Sequence, residues 1–578
     1  MDWPVWSPVT FTRKRLISFA ILLVLAGCRR APAPASTAQP QRGGELVASL
    51  RSEPGNYNRY FDASAAADLF AMLTQARLVR VNRATDEIEP ALAERWESAP
   101  DGRTHTLHLR QGVTFSDGVP FTAADVLFSF KVAYDAPGSR IGDTVTAAGQ
   151  RLDVTSPDPN TVVVRSPVAF APGIRILDNL PILPRHKLEA AMKNGTIQKA
   201  WISSTPLSEI AGLGPFVLSE HVAGQRLVFT RNPHYWRRAA NGETLPYLDR
   251  LRVEIIPDQN AEALRLESGA TDLMSNADIR PDDYARFKRL ADQGRLKLLD
   301  AGVGLDPSVL WFNLKPVAGA HAKPWLHRAE FRQGVSYAVD REAIANTVYL
   351  GAAVPVSSPV TPSFGPWYST SVPTYNHDPA RARRLLAAAG LTDKDGDGQL
   401  EDAAGAPVRF SVLVQKDVTI RERTVSLLQE QLRRVGIALD VVGLDLGSIV
   451  KRWMTGDYDS IFHGFQVSAT DPALTLDFWL SSGSTHFWNP GQPKPATAWE
   501  ARIDELMRRQ STTTDMAERQ RLFVDVQRVF AEHVPALYFV APKVTIALGP
   551  RVLNATPSPQ VPQLLWSADT LAASSSGR

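Results

Sequence analysis

Residues 393–398 read Asp-Lys-Asp-Gly-Asp-Gly. Oxygen donors at alternate positions ahead of a glycine are what a calcium loop requires, and Asp393, Asp395 and Asp397 take its positions one, three and five. The bidentate acid at position twelve is missing, because Ala404 stands there. Glu401, at position nine, does not replace it in that geometry. The same run makes a tight turn, and the half-matched motif reads as that turn, with calcium as the alternative. No resident metal or cofactor is expected. No G-x-S-x-G, H-E-x-x-H or phosphate-cradling G-x(4)-G-K-[ST] occurs, and the 11 histidines are scattered. Residue types and spacing therefore spell out no catalytic centre, although a triad can be assembled from residues in any order.

The single cysteine, Cys28, has a different chemistry available. Arg13, Lys14 and Arg15 precede an apolar run from Leu16 to Ala26, the layout of a secretory signal. The run is short of the roughly 20 residues a bilayer needs. An uncleaved anchor or a core helix is the alternative, and Arg29 and Arg30 end the run too abruptly for either. Leu25-Ala26-Gly27-Cys28 resembles a bacterial lipobox. That resemblance implies cleavage before Cys28 and acylation of its sulfur and new amino group. Two or more chains anchor stably, at about 0.8 kcal/mol per buried methylene. The mature chain would hold no other thiol, so its body rests on core packing rather than disulfides.

Residues 29–42 are rich in Ala, Pro, Ser and Gln and read as a flexible tether. Over the whole chain, 63 basic and 60 acidic residues nearly cancel. No long basic run invites nucleic acid, and no second apolar run reaches transmembrane length. Glu45–Leu50 reads as a strand ended by Glu53-Pro54-Gly55. Leu69, Phe70, Leu73, Ala76 and Leu78 fall at helical spacing. His105, Leu107 and Leu109 alternate with polar residues as a half-buried strand. Thr122 caps a helix with Asp125 in its first turn. A helix holding Val425, Leu427, Leu428 and Leu432 inward stops at Gly436 and gives way to a strand. Strands alternating with helices of this length predict α/β lobes.

The stretch LAERWESAPDGRTHTLHLRQGVTFSDGVPFTAADVLFSFKVAYD, residues 92–135, resembles the signature of the solute-binding proteins of peptide and nickel ABC importers. LVFTRNPHYW, LPYLDRLRVEIIPDQNAEALRLESGATDL, FRQGVSYAVDREAIANTVYLGAA, YNHDPARARRLLAAAG and VRFSVLVQ with LLQEQLRRVGIALDVV resemble later blocks in the right order. The likeness spans about residues 43–560. It implies a two-lobed periplasmic-binding-protein fold (type II, Venus-flytrap) with an extra subdomain in the first lobe. The expected division is signal 1–27, tether 28–42, first lobe 43–303, second lobe 304–536, a return segment 537–565 and a loose tail 566–578. The hinge would lie where VGLDPSVLWFNL and PALYFVAP cross between lobes.

The resemblance also assigns the site. In peptide-binding members a basic residue just after the V-L-V-Q strand pairs with the ligand carboxylate, and Lys416 holds that place. An aspartate shortly after a tryptophan-bearing strand pairs with the ligand amino terminus. Here Phe465 stands for the tryptophan and Ser468 for the aspartate, with Asp471 next to Pro472. A buried ammonium needs a paired charge, and serine brings none. Either Asp471 takes over or the ligand has no free amino terminus there. The plain alternatives are a turn aspartate and a solvated lysine. Trp311 and Asn313, beside the hinge crossing, and Trp367 are candidates for the aromatic and polar lining, with core as the alternative. Taken whole, the resemblance implies a monomeric extracytoplasmic receptor, lipid-anchored through Cys28 on the periplasmic side of a bacterial envelope. It would bind a peptide or small solute and deliver it to ABC permease subunits. A nickel chelate, opine-like compound or sugar on the same fold is one alternative, and an exported lipoprotein hydrolase is another.

Overall fold

A computed structural model describes residues 42–274, 279–315, 323–464 and 470–574. Two mixed sheets organise the chain. The larger has eight strands. Seven run in the order Phe216–Val222, Arg226–Arg231, Arg250–Ile255, Glu45–Leu50, Leu273–Met274, Val540–Leu548 and Lys297–Val303. Ala353–Pro355 pairs with the residues that begin Val540–Leu548. The smaller has five, in the order Ala438–Leu444, Arg409–Gln415, Ser460–Phe462, Val309–Phe312 and Ala536–Tyr538. Glu45–Leu50 runs parallel to Arg250–Ile255, and Arg409–Gln415 parallel to both its neighbours. Such strands are covered on both faces, so Leu46, Val47 and Ala48 are fully buried in succession.

Each sheet has its own core. One cluster joins Leu46, Phe70, Leu107, Phe229 and Ile546 around the larger sheet. Another joins Phe312, Phe331, Phe410, Leu428 and Leu432 around the smaller. A third, rich in tryptophan, packs Trp311, Trp479 and Trp488 against the last long helices. A four-stranded antiparallel sheet, Ala93–Ser98, Thr104–Leu109, Thr161–Arg165 and Asp153–Asp158, forms a subdomain beside the larger sheet. In Thr104–Leu109 the residues His105, Leu107 and Leu109 are the buried set.

The chain passes directly from one sheet to the other at 304–308 and at Phe539, and Ala353–Pro355 reaches the larger sheet by a longer excursion from the smaller one. The two direct passages run side by side. Ser308 N donates to Val540 O at 2.8 Å and Phe539 N to Ser308 O at 3.0 Å, while Gly304 N reaches Pro542 O at 2.7 Å. Phe539 and Val540 are fully buried. Two short, paired connections permit the lobes to swing about them and little else.

Two local readings need correction. The helix beginning at Ala65 ends at Thr74, because Gln75 is extended. Ala76 and Leu78 are buried from the segment that follows, not from the helix face. The tail does not hang loose over residues 566–574. Leu571 and Ala572 are fully buried, and Ala572–Ala573 pairs with Val552–Leu553. Composition alone hides this, because Leu571 and Trp566 supply the apolar anchors amid small polar residues. Among the described residues, no helix is long and apolar enough to cross a membrane.

Candidate functional site

The first wall of the site is a loop fixed by its own side chains. Asn56 Oδ1 accepts from Asn58 N at 2.8 Å, and Asn58 Oδ1 accepts from Tyr60 N at 3.1 Å. Asp62 accepts from the N–H groups of Gly55, Asn56 and Ser64. Burial alone would raise the Asp62 carboxyl; these hydrogen bonds outweigh it and hold the group below the usual carboxylate range. Tyr60 Oη reaches Pro181 O at 2.8 Å and ties this loop to the segment behind it. The order so imposed presents Arg59, which is ion-paired with Asp68 on the following helix.

The opposite wall comes from the other lobe. Thr470 Oγ1 donates to the Asp86 carboxylate at 2.8 Å, and the same aspartate is ion-paired with Arg175. Arg175 also donates to Thr470 Oγ1 at 3.2 Å. Ala171 N donates to Ser511 O at 2.8 Å, and Leu474 packs onto the first lobe's core. Between these walls lies a cleft of about 720 Å³. Arg59, Arg77, Asp143, Arg175 and Asp178 line it from one side, and Leu474 and Asp477 from the other. That size suits a solute of a few residues. Four arginines and four aspartates stand in the lining among a larger number of apolar residues, which suits a zwitterionic or multiply charged guest. Burial pushes Arg83, in the same wall, down to about 10, with Asp178 opposing and Arg77 adding to the drop. It stays cationic at neutral pH.

Residues 87–487 match the family described as Bacterial extracellular solute-binding proteins, family 5 Middle. The chain belongs to that family. The dipeptide-binding protein of Escherichia coli is 28% identical over 514 residues, which cover 85% of this chain and 88% of that one. A Deinococcus radiodurans protein described as a probable ABC transporter-binding protein is 28% identical over 533 residues, covering 88% and 89%. The crystal structure of NikA from Brucella suis in complex with Fe(III)-EDTA matches with a TM-score of 0.76 at 24% identity, over 92% of this chain and 100% of that one. AppA of Bacillus subtilis in complex with a nonapeptide matches at 0.69 and 24%, over 93% and 100%. These likenesses establish the two-lobed fold.

Within this family 5 chain the residues singled out from sequence have varied places. Lys416 is exposed, at the end of Arg409–Gln415, with its N–H bonded to Leu444 O. Phe465 and Ser468 lie outside the described residues, as does Cys28. Asp471 is buried; it accepts from Arg519 at 2.6 Å and from Ala473 N at 3.0 Å. Trp367 lies over the same Arg519, 4.8 Å from its guanidinium carbon. The structure thus brings Asp471 and Trp367 together through one buried arginine, inside the wall. Trp311 is buried among Phe478, Phe487 and Trp488, and its Nε1 donates to His463 O at 2.9 Å. Asn313 donates to Gly456 O and Tyr458 O, bracing a turn. Asp471, Trp367, Trp311 and Asn313 are not among the residues that line the cleft described above.

Sequence reasoning missed the cleft's own charges, Arg59, Arg77, Asp143, Arg175 and Asp178. Arginines and aspartates in loops carry no periodic signal, and only the fold brings them together. It also passed over Arg421, which hydrogen-bonds Gln415 Oε1 at 2.6 Å and His463 Nδ1 at 2.9 Å. Burial, with Arg421 adding to it, pushes His463 down to about 4, so this imidazole is neutral. The acidic loop needs a correction as well. Glu401 does join Asp393, Asp395 and Asp397, with one carboxylate oxygen of each within 4.8 Å of the others. The chain doubles back, Thr392 pairing with Glu401, and this geometry is not visible in linear spacing. The same oxygens cap their own turn: Asp393 accepts from Gly396 N and Gly398 N, and Glu401 from Lys394 N.

Proposed function

We propose that this protein is a lipid-tethered extracytoplasmic receptor that closes on a peptide or peptide-like solute and presents it to an ABC permease. The observation that carries this reading is the cleft of about 720 Å³ walled by both lobes and bridged by Thr470 on the Asp86–Arg175 pair. Contacts to both walls favour the closed form, so binding and closure are one equilibrium. The peptide-binding relative in Escherichia coli supports the solute class. Binding needs no reaction, and the guest leaves unaltered. Attachment of acyl chains at Cys28 would hold the receptor at the membrane.

Asp471 is committed to Arg519, so it does not supply the charge that Ser468 lacks. Asp143, Asp178 and Asp477, in the cleft lining, offer carboxylates to a ligand ammonium. The same commitment favours, as a second reading, a solute without a free amino terminus; the NikA structure in complex with Fe(III)-EDTA supports it, since that guest has none.

Thermal unfolding of the full chain with di- to pentapeptides tests the proposal. A ligand at about a hundred times its dissociation constant should stabilise by about 2.7 kcal/mol. Small-angle scattering should show contraction with the same peptide, and mass spectrometry should recover that peptide intact. Stabilisation only by chelates or sugars would move the chain to the second reading. Cleavage of the peptides would remove it from both. Cys28→Ser should release the protein from membranes; retention there would dismiss the anchor.

A further inference from the structure

Beside the cleft lies a smaller chamber of about 70 Å³. Its wall shares Met72, Arg77, Val81, Arg83 and Asp178 with the cleft, so the two spaces are neighbours. Four arginines line it, Arg77, Arg80, Arg83 and Arg237, against two carboxylates, Asp178 and Asp569. Asp569 is already engaged: Arg237 donates to it at 2.6 Å and Tyr235 Oη at 3.0 Å. Arg80 is engaged too, with Glu89 at 3.2 Å and with the face of Trp566. Arg83 donates to Val561 O, a neutral acceptor that leaves its charge unbalanced. For charge, Arg77 and Arg83 are then left with Asp178.

Two groups in this wall are not satisfied by the protein. Arg77 Nε is buried without a hydrogen-bond partner. Gln75 is 2% exposed, lines the chamber, and has no partner for either Oε1 or Nε2 among the described residues. A buried amide left wholly unpaired is rare and costly. Water in the chamber would satisfy it without selecting anything. An oxyanion would accept from Gln75 Nε2, leaving Oε1 to water, and would also use the surplus positive charge, through charge-assisted bonds from the guanidinium fork.

We propose that this chamber is an oxyanion subsite of the cleft, in which Gln75, Arg77 and Arg83 receive a carboxylate-bearing arm of the bound solute. The inference deepens the receptor reading above and rests on it. It makes acidic peptides, those with an aspartate or glutamate side chain beside the chamber, the preferred guests. Gln75 offers an N–H donor to the oxyanion, where leucine, of similar bulk and one atom shorter, offers none.

Calorimetry of the full chain with Ala-Glu-Ala and Ala-Gln-Ala reads the preference directly. The glutamate peptide should bind more tightly by a factor of about ten or more, as expected for a buried charge-assisted pair. In Arg77→Met that ratio should fall to near unity. Gln75→Leu removes two unpaired polar atoms at nearly constant volume, so it should unfold at a higher temperature than the parent and still lose most of the ratio. Equal affinities in the parent, or a ratio that survives in both variants, would overturn the subsite and leave the chamber to water. If no peptide binds at all, glutarate and inorganic phosphate are the probes. A rise in unfolding temperature with either anion, abolished in Arg77→Met, would uphold the subsite while the peptide reading falls. No rise with either would overturn the subsite as well.

Discussion

The carboxylate of Asp471 could serve a ligand or serve the fold, and its surroundings decide between these. It is 5% exposed, and Arg519, its partner at 2.6 Å, is 2% exposed. Removing one member of a buried pair strands the other charge and costs about 3–5 kcal/mol. Asp471→Ala should therefore lower the unfolding free energy by about that much in a urea titration. A change below about 1 kcal/mol would mean the pair is not formed in solution. Sequence singles out Asp471 beside Pro472, but only the buried Arg519, 48 residues on, shows what it does. Trp311, Asn313 and Trp367 repeat the lesson. Each lies close to the cleft in the chain's path, and each spends its polar or aromatic group on neighbouring backbone or core. The residue types of a lining and of its scaffold are the same, so only direction separates them, and direction is not written in spacing. Lys416 ends its strand as the V-L-V-Q pattern predicts, yet the partly buried cation nearby is Arg421, held by Gln415 and His463.

At the scale of elements, periodicity is the readable signal. The strand Thr104–Leu109 and the helix capped by Thr122 were legible because burial alternates or recurs along them, and Glu45–Leu50, buried in succession, as a short run ended by Glu53-Pro54-Gly55. The helix Ala65–Thr74 was over-extended because its apolar series continues into an extended segment that is buried for a different reason. Helix Ala498–Thr512 carries a capping box whose Glu500 does more than cap. Its carboxylate accepts from Thr497 N and Ala496 N at 2.9 Å, and from Trp488 Nε1 at 3.2 Å. Burial would raise this carboxyl, but hydrogen bonds from His486, Gln492 and Thr497 hold it at about 2. An unfolded glutamate titrates near 4.3. The folded form therefore takes up its proton at lower pH. Its stabilisation, roughly 3 kcal/mol, is complete above about pH 4.3 and lost as the pH falls through about 2. Glu500→Gln should remove that much stability at neutral pH, and its unfolding curves should meet those of the parent near pH 2. Parallel curves at all pH values would refute the assignment. The last segment is testable too. Deleting residues 564–578 exposes the fully buried Leu564 and Leu571 sites and removes Ala572–Ala573 from its pairing. Two buried leucines contribute about 1.5–3 kcal/mol each. The truncated chain should melt well below the parent in a thermal scan, and an unchanged midpoint would restore the expectation of a loose tail.

For the molecule as a whole, the two-lobed architecture was readable because six sequence blocks fall in order along the chain, and the hinge because two apolar stretches bridge otherwise separate α/β patterns. What could not be read is which charges meet across the closed cleft. Thr470 is one bridge, beside the Ala171–Ser511 bond: its hydroxyl joins Asp86 and Arg175 of the other lobe. Thr470→Val keeps the shape and deletes those bonds, each worth about 1.5–3 kcal/mol because their partners are charged. The variant should be more expanded in small-angle scattering without ligand, and should bind more weakly and unfold at a lower temperature than the parent. An unaltered radius of gyration and affinity would show that closure does not depend on this contact. The Arg423–Asp282 pair, at 3.8 Å and exposed, should matter little by comparison.

The strand Val540–Leu548 lies inside the larger sheet, between Leu273–Met274 and Lys297–Val303, although it is made some 240 residues after them. During synthesis or translocation, the first half of the protein therefore waits with a gap in its middle. The smaller sheet receives its own last strand, Ala536–Tyr538, just before that gap is filled. The half that is made later is the first able to finish. A ribosome stalled before residue 540 would leave an open seam flanked by unpaired backbone, a ready target for holding chaperones and for aggregation. Export of this chain thus favours passage before the final strand arrives, since its arrival is what locks the first half shut.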